Sequence, residues 1–358
     1  MPPASGQSVP PAAVPVPAGV LSVCWRVIRR SRAGTCGAVV LVAMLAVCLG
    51  SLPWTLGRYV TSGPDGRPYT GVRYDRQDSR AARLPPAWWP HSEVQAQRRA
   101  ELGADASLRL MGTESLGRDL FTRVLLGGAI SLTIGLAAAC ISVVLGTLYG
   151  ALAGWVGGRT DALMMRFVDV LYGLPYILLV VLLAVAVDAV LDRWQSQRGL
   201  SEQQVQVVGI ATLLVAIGGV SWLTMARVVR GQVLSLKQRP FIEAARAVGV
   251  GPVRLFARHL LPNLAGPIVV YATLTVPQAI LQESFLSFLG IGVKPPLPSW
   301  GNLAADGLGE LNTVQSRWWL LFFPCLLLGA TLLALNFVGE ALREAMDPRR
   351  AGDSGGRA

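Results

Sequence analysis

The chain has 358 residues, of which 52% are hydrophobic and 15% are charged, and its formal net charge is +11. Because a soluble domain carries about 25% charged residues, this composition excludes an ordinary soluble protein and favours one polytopic membrane domain with polar ends. The basic residues are spread over loops beside apolar segments, so the positive charge does not indicate binding to nucleic acid.

Residues 1–32 are predicted to form a cytoplasmic tail. Residues 1–20 are rich in proline and carry no charge, so they have little to bury and are expected to be disordered. Basic residues near a span favour the cytoplasmic side, and four arginines precede the first apolar segment: Arg26, Arg29, Arg30 and Arg32.

Six charge-free runs are predicted to be transmembrane helices. A span needs roughly 20 apolar residues, and a lipid-embedded segment must satisfy its own backbone hydrogen bonds, which favours helices. The topology then has both termini inside, with 33–57 as the first span, five spans within 124–341 and a cytoplasmic tail at 342–358. The runs are 33–57, 124–158, 170–187, 203–226, 260–282 and 318–339.

The segment 58–123 is predicted to be a long external loop, because it is polar and marked by proline and glycine. One patch, 93–102, has a helical pattern. The neighbouring Trp88-Trp89-Pro90 and Arg98-Arg99 are compatible with a site at the membrane surface, where tryptophan is enriched, and equally with a plain solvated loop.

The sequence Gly-Thr-Glu-Ser-Leu-Gly-Arg-Asp at 112–119 comes just before the second span. Asp119 and Arg123 are spaced i,i+4 with the acid first, which favours a short helix. The segment is read as a structured external element, and a turn followed by a simple helix entry is the alternative. Its candidate site residues are Gly112, Thr113, Glu114, Gly117, Arg118 and Asp119.

Two further segments contain charged residues near span ends. Arg166 and Asp169 are spaced i,i+3 and are able to pair at the cytoplasmic edge of the third span. Glu283 lies near the outer end of the fifth span, so it is expected to face the protein interior or an aqueous translocation path; a position at the headgroup level is the alternative. The external loop that follows contains Ser299, Trp300 and Gly301.

The segment 243–262 is a polar pair of short helices between two apolar runs, and it suits docking on another protein. Glu243 lies in a first helical turn, where an acid favours the helix dipole, and the small side chains of Ala244 and Ala245 let another surface come close. Gly249 permits a left-handed stop, and Pro262 ends the second helix or begins the next span. An ordinary cytoplasmic helical loop is the alternative.

This segment resembles the E-A-A-x-x-x-G-x(9)-I-x-L-P loop of ABC-importer permeases. His259 replaces the isoleucine of that pattern, as is common in the oligopeptide/dipeptide branch, and 112–119 resembles the G-T-D-x-x-G-R-D segment of the same branch with Glu114 in place of aspartate. The resemblance covers roughly 110–348. The matching loop residues are Glu243, Ala244, Ala245, Gly249, Leu261 and Pro262.

The resemblance implies an all-α polytopic membrane protein with the type I ABC importer permease fold. Its six transmembrane helices would contain a cytoplasmic coupling loop at 229–262, and 112–119 would lie near a docked binding protein. The implied partners are a second homologous permease subunit, two ABC ATPase subunits, an external solute-binding protein and membrane lipid. The substrate would be a peptide or a related solute such as nickel, and the location the plasma (inner) membrane.

No pattern for catalysis, a metal or a cofactor is found. The G-x-x-x-x-G-K-[ST] phosphate loop is absent, and neither lysine, Lys237 or Lys294, follows a glycine; ATP hydrolysis is therefore assigned to partner subunits. The alternative functions are a stand-alone secondary transporter or channel, which would need ion-coupling acids inside several spans, and a membrane-anchored scaffold. The only candidate acids lie near span ends: Asp169, Asp188 and Glu283.

Overall fold

The structure, a computed structural model, describes residues 28–29, 31–62, 68–103, 109–198, 201–311 and 316–346. The predicted disorder of residues 1–20 and most of both predicted tails lie outside these ranges. The described chain is mainly helical, and its helices in order are α1 Arg32–Gly50, α2 Leu52–Thr55, α3 Glu93–Leu102, α4 Leu120–Val156, α5 Gly158–Tyr172, α6 Tyr176–Arg198, α7 Glu202–Lys237, α8 Pro240–Ala247, α9 Pro252–Leu255, α10 Leu261–Phe288, α11 Trp300–Gly309 and α12 Trp319–Met346.

Five helical segments of the described chain are long and apolar enough to cross a membrane, and a bent pair raises the number to six. The five contain α1, α4, α7, α10 and α12. The bent pair is α5 and α6, whose axes meet at 86°. The break falls at Gly173–Pro175, where proline removes a backbone donor and disfavours helical geometry in the residue before it. The third predicted span is therefore a bent pair and not one straight helix.

The segment before α4 contains a β-hairpin that the sequence analysis did not predict. Strand β1 (Arg58–Ser62) pairs antiparallel with β2 (Pro68–Val72), with Tyr59 opposite Gly71. Two 3₁₀ turns follow, and then α3, which confirms the helical pattern noted at 93–102. The Ser92 hydroxyl and the Gln95 side chain cap the first turn of α3 reciprocally, which satisfies two otherwise unpaired N–H groups.

Helix α4 lies at the centre of the bundle and packs most closely against α7. Gly146, Gly150 and Gly154 form one stripe with a spacing of four residues, and small residues at this spacing let two helices approach each other. A Cβ atom on Gly150 would lie 2.1 Å from the Ala226 carbonyl oxygen. In the most apolar window of α4, 67% of the segment is buried inside the protein, compared with 11% in the first span, which contains α1. Helix α1 therefore lies at the periphery of the bundle, where it packs mainly along α12.

The two ends of the bundle differ in what covers them. The hairpin end, as we call it, consists of β1, β2, α3 and residues 109–119, together with α11 and the start of α12. The loop end consists of α8, α9 and the turns that join them to α7 and α10. These two ends contain the predicted site residues, except for Leu261, Pro262 and Glu283, which lie within α10.

Candidate functional site

The connection between α7 and α10 has the predicted two-helix form. Helix α8 ends in a left-handed turn at Gly249, whose φ is +84°. The Val250 N–H bonds to the Ala245 carbonyl and the Gly249 N–H bonds to the Arg246 carbonyl, which is the Schellman arrangement that ends many helices. No heavy atom lies within 4 Å of a Cβ placed on Gly249, so glycine is favoured here by backbone geometry and not by crowding.

The tip of this connection is exposed and partly apolar. Val248 is 84% exposed and Val253 is 80% exposed, and Glu243 and Ala244 are also exposed. Apolar side chains presented this openly, with polar neighbours around them, mark interaction surfaces. Ile242 of α8 and Leu255 of α9 are buried beneath them.

The base of the connection is fixed to α4. Lys237 Nζ donates to the carbonyl oxygens of Gly154 (3.2 Å) and Trp155 (2.9 Å) at the end of α4, where a cation also favours the helix dipole. The Trp155 ring packs edge-on against Phe256, with ring centroids 5.6 Å apart. These contacts attach the base of the connection to the end of the central helix.

A π turn at Phe256–Leu260 joins α9 to α10. His259 lies in this turn and is half-buried, and its carbonyl accepts from the Asn263 amide at 2.6 Å. Pro262 lies in the first turn of α10, within the apolar helical segment Pro252–Phe288, so it does not end the helical run there. Leu261 is 42% exposed, whereas Leu260 is buried.

Two ion pairs join α7 to α5 on the loop-end side. Arg230 holds Asp161 with two hydrogen bonds, Nε to Oδ1 at 2.5 Å and Nη2 to Oδ2 at 2.6 Å. Arg227 bonds Asp169 at 2.8 Å and lies over the Tyr172 ring at 4.4 Å. The structure thus gives Asp169 a partner on another helix, and the predicted local pairing with Arg166 is not what is seen.

A cavity of about 420 Å³ lies between α7, α10 and the bend that joins α5 to α6. None of the described residues that line it is charged. Its polar residues are Tyr172, Ser221, Thr224, Tyr271, Thr275, Gln278 and Gln282.

Glu283, the acid proposed for the path, does not line this cavity. It is fully buried, and its carboxylate accepts hydrogen bonds from the hydroxyls of Ser287 (2.8 Å) and Ser284 (3.3 Å). Of the expected environments, it therefore has the protein interior. The cavity is lined instead by Gln278 and Gln282 of the same helix. The signal that was missed is a stripe of polar residues along one face of α10: Tyr271, Thr275, Gln278 and Gln282.

At the hairpin end, the 112–119 segment forms a buried network of charges. Glu114 pairs with Arg118 and with Arg123, whose Nε lies 3.2 Å from its carboxylate, and Arg118 Nη1 donates to Asp75 at 2.8 Å. The Thr113 hydroxyl accepts from the Leu84 N–H at 2.8 Å. The segment is therefore tied to the turns that follow the hairpin.

The same segment starts α4. Asp119 caps the helix by accepting from the Thr122 N–H at 2.9 Å; burial raises the pKa of Asp119, and the hydrogen bonds from Thr122 oppose that rise. The helix predicted from Asp119 and Arg123 is thus the first turn of α4 itself. Gly112 and Gly117 have positive φ, and a Cβ on Gly117 would lie 1.8 Å from the Asp78 carbonyl oxygen.

The predicted external loop at 299–301 is part of the core. Ser299 caps α11 reciprocally with Asn302. The Trp300 ring is fully buried, and its Nε1 donates to the Val124 carbonyl at 3.1 Å. A Cβ on Gly301 would lie 2.1 Å from the Ser284 carbonyl oxygen, so α11 packs directly on α10. Among the described residues, no group of three or more His, Cys, Asp or Glu side chains is placed to hold a metal ion.

Comparison with known proteins places this arrangement in one family. A model described as "binding-protein-dependent transport system inner membrane component" matches residues 146–352, more than half of the chain, including the two-helix connection. The chain belongs to that family. This membership, with five or six apolar helices, confirms the predicted type I importer permease fold.

Several relatives are similar to the permease over most of its length. A dipeptide transport system permease protein of Bacillus subtilis is 42% identical over 260 residues, which cover 73% of this chain and 75% of that protein. An oligopeptide transport system permease protein of Escherichia coli K12 is 48% identical over 238 residues, covering 66% and 72%. One of Haemophilus influenzae is 44% identical over 238 residues, covering 66% and 70%. The predicted oligopeptide/dipeptide branch is confirmed.

Proposed function

We propose that the permease forms one wall of the translocation path of an ATP-driven peptide importer. A second homologous permease completes the path, two ATPase subunits dock at the loop end, and an external binding protein delivers the substrate at the hairpin end. The names of the relatives support the peptide as substrate. In this orientation the loop end and both termini are cytoplasmic.

The observation that carries the proposal is the construction of the loop end. Its tip exposes Val248 and Val253, while Ile242 and Leu255 below them are buried. An exposed apolar tip on short helices that are buried below is suited to insert into a groove of another protein. Glu243 and Ala244 lie on the same exposed surface, which agrees with their predicted part in docking.

The uncharged cavity is the best candidate for the substrate-contacting wall. Glutamine, serine, threonine and tyrosine side chains donate and accept hydrogen bonds, so they match the amide groups that every peptide contains. The absence of charged groups among its described lining residues lets peptides of different charge pass. It also gives no support to a stand-alone ion-coupled transporter, whose coupling acids would be expected in such a path.

The contacts of the loop suggest how its displacement changes the conformation of the translocation path. Closure of the ATPases would displace the loop; Lys237 passes this movement to the end of α4, and Arg227 and Arg230 pass it to α5. The bend that joins α5 to α6 lines the cavity through Leu171, Tyr172 and Leu174. Docking thereby shifts the population between inward- and outward-facing states, as any differential contact does.

The docking surface is tested by Val248→Glu. A buried, unpaired charge at an interface is costly, so we expect the ATPase subunits to co-purify poorly and peptide uptake to be lost, with membrane insertion unchanged. Val60→Glu on β1 is the matched control, because Val60 is also strongly exposed (70%) but lies at the hairpin end. Normal ATPase co-purification with Val248→Glu would refute docking at this tip.

A further inference from the structure

The hairpin end contains an aromatic cluster that joins residues far apart in the chain. Trp318, the residue just before α12, contacts Trp89 with ring centroids 5.0 Å apart and Trp88 at 6.2 Å. On its other side it contacts Phe322 at 5.6 Å. Trp88 is 59% exposed and Trp89 is 42% exposed, so the cluster has an open surface at the level where a spanning helix begins.

A cavity of about 590 Å³ lies beside this cluster, lined on one side by Trp89 and Trp319. The described lining contains three arginines, Arg83, Arg98 and Arg317, and no acidic residue. Arg83 and Arg317 are held in place by Glu310 behind the lining, with Arg83 Nη2 donating to its carboxylate at 2.8 Å. Two arginines sharing one carboxylate leave a positive charge balance beside the cavity.

Arg98 is placed by the helix that contains it. The reciprocal cap at Ser92 fixes the start of α3, and Arg99 fixes the next turn because its Nη1 donates to the Ala87 carbonyl at 3.0 Å. Arg98 itself is exposed, and no hydrogen bond or ion pair joins it to another residue in the described part of the chain. The Arg98 guanidinium is held by a capped helix at the edge of the cavity, so it is positioned to bind an anionic ligand.

An apolar stripe continues from the cluster along α12. Phe322 is 47% exposed, Leu326 is 50% exposed and Leu333 is 54% exposed, and their spacing of four and seven residues puts them on one face of the helix. This face belongs to a segment long and apolar enough to span the membrane. The cationic cavity, the tryptophans and the stripe therefore follow one another from the headgroup level towards the hydrocarbon.

We propose that the hairpin end binds an anionic phospholipid from the adjacent leaflet. The three arginines take its headgroup phosphate, Trp88, Trp89 and Trp318 lie at the glycerol level, and an acyl chain lies along Phe322, Leu326 and Leu333. A soluble protein partner would explain the charge but not the continuous apolar stripe on a spanning helix, and a second membrane subunit would explain the stripe but not the three arginines at its end. The bound lipid holds the external segment on the membrane surface and so fixes the height at which a binding protein meets the permease.

The proposal is tested by native mass spectrometry of the full chain released from detergent micelles. Three probes are added separately: dioleoyl phosphatidylglycerol, dioleoyl phosphatidylcholine and glycerol 3-phosphate. We expect retention of phosphatidylglycerol over phosphatidylcholine and no retention of glycerol 3-phosphate, which has the phosphate without the chains. One basic residue near an anionic surface contributes about 1 kcal/mol, so Arg98→Gln should weaken phosphatidylglycerol binding about fivefold.

The controls separate charge at the cavity from charge elsewhere. Arg98→Lys keeps the charge and should retain most of the binding. Arg80→Gln removes the same charge from an exposed side chain (71%) that does not line the cavity, and should change nothing. Equal retention of the two lipids, equal loss in Arg80→Gln and Arg98→Gln, or retention of glycerol 3-phosphate would each overturn the proposal. So would an Arg98→Gln variant that weakens capture of the binding protein but keeps its lipid. The lipid-retention measurements need neither transport nor a binding protein, so their failure is distinguishable from a failure of the proposed function.

Discussion

At the hairpin end Glu114, Arg118 and Arg123 are buried and paired with one another, whereas at the loop end Glu243 and Ala244 are exposed. Both sets belong to motifs that resemble the same permease branch. In the first motif the residues hold the segment to the bundle. In the second they are exposed, while other residues anchor the loop. A motif alone therefore does not show whether its residues stabilise the fold or are exposed for contact with another protein. Substitutions at the two ends test this difference.

The largest effect is expected for Glu114→Ala. This change leaves the buried guanidinium of Arg123 without its carboxylate partner, and breaking a buried ion pair by removing one partner costs about 3–5 kcal/mol. We expect a large fall in the melting temperature of the purified permease in detergent. Glu243→Ala at the loop end, whose side chain is exposed, should leave the melting temperature nearly unchanged. Equal shifts for the two variants would contradict the division between the two ends.

Gly117→Ala should be the next most destabilising change. Its φ is +71°, and the added Cβ would lie 1.8 Å from the Asp78 carbonyl oxygen, so the variant combines backbone strain with a clash against backbone. We expect a loss of about 3 kcal/mol, measured as reduced thermal stability and increased proteolysis within 58–123. A variant as stable as the parent would show that the turn relaxes without cost.

Arg230→Met should have an intermediate effect. It leaves the largely buried Asp161 carboxylate without two hydrogen bonds, and hydrogen bonds to charged groups contribute about 1.5–3 kcal/mol. Arg227→Met is the matched comparison, because the Arg227 and Asp169 side chains are 43% and 63% exposed and such pairs contribute about 1 kcal/mol or less. Thermal denaturation of both variants measures the difference, and the reverse order would contradict the burial argument.

The sequence alone predicts only part of this fold and of the candidate site. The spans and the loop stop at Gly249 were predictable because apolar length and the need for positive φ are local properties. The pairing of Asp169 with Arg227 and the burial of Trp300 depend on residues distant in the chain, so no local pattern contained them. The hairpin at 58–72 is local, and the Gly-Pro-Asp-Gly sequence between its two strands is a turn signal that was missed. Glu283 was expected to face the protein interior or the path because intramembrane acids often do, and the sequence did not decide between the two. Its buried hydroxyl partners, Ser284 and Ser287, show another way in which such an acid is satisfied.

Gly249→Ala should cost little stability but should still impair transport. The left-handed conformation costs a residue with a Cβ about 1 kcal/mol, and no neighbouring atom would be struck. We therefore expect a small fall in the melting temperature, together with weaker ATPase co-purification, because the strain is relieved by moving the exposed tip. A fall in melting temperature as large as that of Gly117→Ala would contradict the difference in packing between Gly117 and Gly249.

The smallest expected effect is a pH dependence at the hairpin end. The hydrogen bond from Arg83 and then the nearby Arg317 hold the pKa of Glu310 below its ordinary value of 4.5. A carboxyl whose folded-state pKa is depressed adds stability above its unfolded pKa, and that stability is lost as pH falls through the folded value. The parent should therefore lose stability below about pH 4.5, by less than about 1 kcal/mol because Arg83 is 44% exposed. The Glu310→Gln variant should lack this pH-dependent contribution to stability. Melting temperatures of both proteins between neutral pH and about pH 3 measure the difference, and parallel curves would mean that the Arg83–Glu310 pair contributes nothing to the stability of this end.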